Sequence, residues 1–255
     1  MENNQLIITT SWDDGSVYDR KIVDLLKKYS IRGTFYIPKE FNYQPKDGEI
    51  IIRVPDGELK TLYAGFEIGA HSLTHAYFND ISGEQIKEEV RGSKKYLEDL
   101  TRRPVNMFCY PGGRYNEIAI EEVKKSGFVG ARTTEIFKFN VENPFLMPTT
   151  INCYPFPFGS GGAKAKSRTF LRNISLALNL SLPVGSFLSW KNLAKFLFDK
   201  AQSEKGVFHL WGHSWEIEKN NMWKDLEDVL EYISNKDDAK YLINSEIIDF
   251  LKKKD

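Results

Sequence analysis

Apolar and polar positions along this chain switch between a period of two and a period near 3.6. Residues 6–12, LIITTSW, form a β-branched run that stops at Asp13-Asp14-Gly15, the make-up of a buried strand ending in a turn. Residues 18–30 then place Ile22, Leu25, Leu26 and Tyr29 at helical spacing, with basic residues on the opposite side. A second strand, IRGTFYIP, is closed by Pro38. Strand, helix and strand in so short a distance predict a βαβ unit, with parallel strands joined by a right-handed crossover.

The alternation continues to the end. Residues 41–64 read as an inserted loop with a small hairpin around Asp56-Gly57, and FEIGAH reads as a third strand. Ser82 and Gln85 form a capping-box pattern ahead of a long helix with Ile86, Val90, Leu97 and Leu100 as its buried stripe. VNMFCYP predicts a fourth strand. A helix capped by Asn116 and stopped by Gly127 follows, then FVGART as a fifth strand. Residues 155–167 read as a glycine-rich loop, followed by helices over 168–180 and 190–206. VFHLWGH is another strand, and helices around 223–234 and 245–254 complete the chain. No linker separates two cores, so residues 1–255 read as one α/β domain with 41–64 and 155–167 as loop insertions. The pattern alone fits a barrel or a doubly wound open sheet.

Composition narrows the partners. Lysine plus arginine and aspartate plus glutamate are 35 each, a balance that argues against nucleic acid. Cys109 and Cys153 form no CxxC pair and read as buried, inert thiols. The N-terminus lacks a basic segment ahead of its short apolar run, and ISLALNLSLPVG is too short to span a bilayer. The expectation is a soluble, cytoplasmic protein, in which the sequons at Asn173 and Asn179 carry no meaning.

Two adjacent carboxylates at a strand end repel each other unless something offsets the charge. His71 and His75, four apart directly after the third strand, have a spacing that puts two imidazoles on one face of a helical turn. Both pairs lie at the C-terminal ends of predicted parallel strands, the rim where α/β enzymes build their sites. Two nitrogens and one carboxylate oxygen make a three-ligand site with a position left open, and a divalent cation would neutralise the acidic pair. One aspartate would bind the metal while the other stays free. His213 ends another strand at the same rim and suits a general acid, whereas His209 reads as a packed strand histidine.

SWDDG, HSLTH, FCYPGGRYN and HLWGH, in that order, resemble the motifs of NodB-type polysaccharide deacetylases, carbohydrate esterase family 4. The resemblance implies a distorted, incomplete (β/α) barrel of the NodB type, with Asp13 as general base and His213 as general acid. It implies Asp14, His71 and His75 as ligands of a divalent metal, most simply Zn²⁺, and an amino-sugar or glycan substrate that loses an N-acyl group, commonly acetyl. The third motif departs from the family's RxPY. Cys109 stands where an arginine tethers the catalytic aspartate, and Gly112 stands where a tyrosine lends its backbone N–H to the oxyanion. Tyr110 belongs to this same altered motif and is counted with the substrate-contacting candidates. Gly112 can still serve through its backbone, and either Arg114 or Arg132 can supply the tether. Trp211 replaces the leucine that walls the acetyl pocket. An amidase or deformylase on a non-polymeric C–N substrate, and a non-catalytic metal- and sugar-binding protein, are the other readings.

Overall fold

The computed structural model describes residues 5–41, 51–157, 185–186 and 189–252. The first strand, β1 (Leu6–Asp13), is buried along its whole length, so both of its faces need partners. Leu6, Ile8 and Trp12 pack outward into a large layer beneath the helices. Ile7 faces the other way, into a smaller cluster with Tyr36, Met107, Met147, Val207 and Ile247. Successive side chains on a strand alternate, so Thr9, Ser11 and Asp13 follow Ile7 into that interior.

Helix α1 (Asp19–Lys28) leads to β2 (Gly33–Ile37), and α2 (Asp56–Leu62) leads to β3 (Glu67–Ala70). Helix α3 (Gly83–Thr101) precedes β4 (Met107–Cys109), and α4 (Glu117–Lys125) precedes β5 (Gly130–Arg132). Then come β6 (Ile151–Cys153), α5 (Trp190–Ser203) and β7 (Val207–His213). The chain ends with α6 (Ser214–Lys219), α7 (Trp223–Ile233), β8 (Ala239–Tyr241) and α8 (Asn244–Lys252).

The strand order is β5-β4-β3-β2-β1-β7-β6, and β8 lies beside the first half of β1 on the edge whose second half pairs with β2. Every pairing is parallel. Among the described strands, β5 and β6 do not pair with each other. The segment between them bridges the gap, with Met147 against Arg132 of β5 and Thr150 bonded to His209 of β7. The result is the incomplete (β/α) barrel of the NodB type. An open doubly wound sheet would have no enclosed interior. Here α8 plugs the lower mouth, with Ile247 and Ile248 in the inner cluster and Asn244 bonded to Thr9, Thr34 and Tyr36.

Local signals hold at several helix ends. Ser82 accepts from Gln85 N and the Gln85 side chain returns to Ser82 N, while Asn116 caps α4 by accepting from Ala119 N at 2.9 Å. Three expectations change. Asp56-Gly57 opens α2 rather than a hairpin, because Leu59 finds a buried seat and turns the stretch helical. Leu100 stays 37% exposed, and Ser93 and Thr101 occupy the buried face of α3 in its place. The short strands β6 and β8, three residues each, carry too little period-two signal to be foreseen. Residues 42–50 of the first expected insertion, 158–167 of the second, and the helix expected over 168–180 lie outside the described residues. Among the described residues, no helix is long and apolar enough to cross a membrane.

Candidate active site

Strand register assembles the site. Asp13 and His213 are cross-strand partners at the C-terminal ends of β1 and β7, and both stand on the inward face. Arg132 closes β5 and Cys109 closes β4, so all four side chains converge on one rim. At Asp14 the chain leaves β1 in the left-handed region (φ +80°), and Gly15 continues it at φ +62°. A Cβ at Gly15 would lie 3.1 Å from Ile37, so the turn needs glycine for both conformation and space. This turn sends Asp13 and Asp14 into the same pocket.

Asp13 is 2% exposed and paired with Arg132, which is fully buried and whose Nη2 contacts both carboxylate oxygens. Burial works against charge on Asp13, but Arg132, His71 and His213 outweigh it and hold the carboxyl below its ordinary range. Of the two arginines expected near Asp13, Arg132 is the one that pairs with it. Arg114 does not reach it: its guanidinium lies 3.2 Å from the exposed Asp80 and over the ring of Tyr77. Tyr110 also leaves the candidate set. Cys109 turns its Sγ inward, 3.8 Å from Asp13 Oδ2, so the next residue must point outward. The Tyr110 hydroxyl accordingly donates to Phe145 O, and its ring packs against Phe108 and Tyr115.

His71 and His75 meet without a helix. Residues 71–75 form a loop in which Ser72 and His75 take positive φ values of 62° and 55°. Glu89 of α3 holds this loop from behind, accepting from Leu73 N, Thr74 N and Thr74 Oγ1 at 2.7–2.9 Å. His71 Nδ1 donates to Cys109 O at 2.9 Å, which leaves Nε2 as a bare lone pair, and burial drives its pKa down to about 4. That lone pair is 3.8 Å from Asp14 Oδ1, and His75 Nε2 is 3.5 Å from the same oxygen.

This arrangement fits a bound cation. Asp14 Oδ1 is buried with no hydrogen-bond donor, a costly state for a carboxylate oxygen unless something positive sits against it. One ligand atom each from Asp14, His71 and His75 lies within 4.8 Å of the others. Ligand atoms around a tetrahedral Zn²⁺ are separated by about 3.3 Å, close to the spacings found. A nitrogen–nitrogen–oxygen set suits zinc and its first-row neighbours better than calcium or magnesium.

His213 faces this centre from the other side, with Nε2 3.8 Å from Asp14 Oδ2 and 3.9 Å from Asp13 Oδ2. Its Nδ1 donates to Glu216 Oε2 at 2.7 Å, which fixes the ring orientation. Burial alone would lower its pKa, but Glu216, Asp14 and Asp13 raise it to about 10. Glu216 is absent from the sequence-based candidates although it stands three residues after a strand-end histidine. Trp215, which donates from Nε1 to Asp14 Oδ2 at 2.8 Å, is absent from them too. Trp211 is buried below the rim, its ring 4.6 Å from the Arg132 guanidinium and edge-on to His213. Gly112 sits in the turn after Cys109 at φ +59°, where a Cβ would strike the Tyr77 ring at 2.7 Å. A cleft of about 610 Å³ runs along His75, bounded by Lys39, Glu40, Thr74 and Tyr77.

The family model described as polysaccharide deacetylase matches residues 2–131. A peptidoglycan-N-acetylglucosamine deacetylase of Bacillus cereus is 27% identical over 128 residues, 49% of this chain and 55% of that protein. The peptidoglycan-N-acetylmuramic acid deacetylase PdaA of Bacillus subtilis is 28% identical over 125 residues, covering 48% of this chain and 44% of its own length. The chain thus spans about half the length of these curated relatives. Among solved structures, one from Mycobacterium smegmatis named for a polysaccharide deacetylase superposes with a TM-score of 0.64 at 14% identity, covering 99% of this chain and 92% of that one. At that identity the likeness speaks for the fold.

Proposed function

The chain belongs to the polysaccharide deacetylase family, and on that premise we propose that it is a metal-dependent hydrolase removing an N-acyl group, with acetyl as the simplest case, from an amino sugar or glycan. The observation that carries this reading is the convergence on one rim of Asp13 with its buried arginine, the Asp14–His71–His75 set, and His213. The two peptidoglycan deacetylases among its relatives support an N-acetylated amino sugar as the substrate class.

Asp14, His71 and His75 would hold the metal. A divalent cation there would polarise the amide carbonyl and make water a nucleophile near neutral pH. Asp13, kept ionised by Arg132, takes a proton from the attacking water at a carboxylate oxygen. Gly112 offers its backbone N–H to the oxyanion, a contribution on the order of 3 kcal/mol. His213 enters the reaction as imidazolium, with its Nδ1 proton held by Glu216, and gives up the Nε2 proton to the departing amine. Its high pKa suits a protonated resting state, and a cation bound at Asp14 would bring that pKa back toward neutrality, where proton transfer is efficient.

The Cys109 substitution does not argue for a non-catalytic protein, because Arg132 supplies the missing guanidinium from the next strand. Acetate release from a panel of N-acetylated amino sugars, chitooligosaccharides and peptidoglycan, with and without a chelator, tests the reading. Release from at least one sugar, abolished by chelation and restored by Zn²⁺, is the expected result. Release from non-sugar amides alone would favour the amidase reading, and metal binding without any release would favour the non-catalytic one.

A further inference from the structure

Asp14 has two oxygens in different surroundings. Oδ1 has no hydrogen-bond donor and looks toward the two imidazoles at 3.5 and 3.8 Å. Oδ2 accepts the indole N–H of Trp215 at 2.8 Å. We propose that Trp215 is a positioning residue for the metal: by occupying Oδ2 it makes Oδ1 the single oxygen that Asp14 presents, and so holds the carboxylate to one coordination position. The inference rests on the metal reading above and goes beyond it.

The choice of indole is chemically apt. A carboxylate free on both sides can turn both oxygens to a cation and fill two positions, leaving less room for water and substrate. The donor that prevents this must sit close to the cation without competing with it. An ammonium would repel the metal, and an imidazole or hydroxyl could become a ligand. The indole N–H is a donor only, carries no charge and does not titrate.

Local structure holds the indole in place. Ser214, one residue earlier, opens α6 and donates from Oγ to Asp19 Oδ1 at the start of α1, and Asp19 also accepts from Tyr63 at 2.8 Å. Glu216, one residue later, grips His213. Trp215 is thus pinned on both sides, with its ring 5.5 Å from that of His213. Three consecutive side chains of one short helix bind the scaffold, the metal-facing carboxylate and the histidine opposite.

The test compares wild type, Trp215→Phe and Asp14→Ala by chelator-competition titration of Zn²⁺ and by the visible spectrum of the Co²⁺-loaded protein. Loss of a hydrogen bond to a metal ligand costs about 10–100-fold in affinity. Trp215→Phe is therefore expected to bind Zn²⁺ about 10–100-fold more weakly, with a smaller metal-induced rise in Tm. Its Co²⁺ bands are expected to weaken as the coordination number rises. Wild-type affinity and spectrum in Trp215→Phe would overturn the proposal. Wild-type affinity in Asp14→Ala would instead overturn the metal reading itself. A measurement on the unaltered protein guards against a variant that folds poorly: the Trp215 indole proton should stay hydrogen-bonded, by NMR shift and slow exchange, throughout a Zn²⁺ titration. Its release on metal binding would equally overturn the proposal.

Discussion

His209 and His213 stand four residues apart on β7, both on its inward face, and the barrel treats them in opposite ways. His209 lies two repeats of the pleat below the rim, bonded to Ser11 Oγ at 2.8 Å and within reach of Pro148 O. Burial and the nearby Arg132 push its pKa down to about 3, so it is neutral. His213, at the mouth, faces three carboxylates that lift it to about 10. The same residue on the same strand is a neutral hydrogen-bonding group inside the barrel and a carboxylate-facing imidazole at its mouth. What decides is the layer: hydroxyls and carbonyls line the interior, and carboxylates are gathered at the C-terminal rim.

Single substitutions should separate the two layers. The largest effect belongs to the rim. His213→Ala is expected to lower kcat on an N-acetylated sugar by about 10²–10⁴-fold, while the urea midpoint of the metal-free protein moves little at about pH 10, where the His213 charge no longer adds stability. His209→Ala should do the reverse, costing roughly 1–3 kcal/mol of stability through the lost packing and the orphaned Ser11, with kcat within several-fold of wild type. Equal losses of kcat in both variants would break the comparison.

Arg132 joins the layers, since it reaches up to Asp13 and packs against Trp211. Removing one partner of a buried pair strands the other charge, at a cost of about 3–5 kcal/mol. Arg132→Met is expected to lose that much in denaturant unfolding and to raise the Asp13 pKa, moving the acid limb of the kcat/KM profile to higher pH. A variant of undiminished stability would mean that the Asp13–Arg132 pair is not formed in solution.

The smallest effect per step is the slope of stability with pH in the metal-free protein. His71, with a folded pKa of about 4 against about 6.5 unfolded, is neutral when folded, so the unfolded chain gains protons first on acidification. Its contribution is lost as pH falls from about 6.5 toward 4. His213 has the opposite sign: its stabilisation is complete below about 6.5 and fades as pH rises toward 10. Each slope is at most about 1.4 kcal/mol per pH unit. Urea unfolding at several pH values should show stability falling above neutrality, and His213→Ala should flatten that limb.

Much of the rim is legible in the sequence alone, for a physical reason. A strand end followed by Asp-Asp-Gly, and two histidines directly after another strand, are local patterns, and parallel topology brings all such ends to one side. The same strand pattern places His213 at the rim and His209 inside. The choice between Arg114 and Arg132 is not local, because it depends on β4 and β5 being neighbours in register, with Cys109 beside Arg132. Tyr110 falls outside the site because the single-residue parity of a three-residue strand cannot be read from composition. The helical geometry expected of His71 and His75 gives way to a loop because Glu89, distant in sequence, satisfies that loop's N–H groups. Trp215 and Glu216 carry no spacing signal of their own. Their roles arise from the turn that α6 makes at the mouth of β7.

The central claim divides the labour of the opening acidic pair, Asp14 for the metal and Asp13 for the proton. Asp13→Asn, loaded with Zn²⁺ and assayed for acetate release beside a metal titration, tests it most directly. The expected result is one equivalent of metal bound as in wild type, with turnover reduced by about 10²–10⁴-fold. Near-normal acetate release from that variant would contradict the claim.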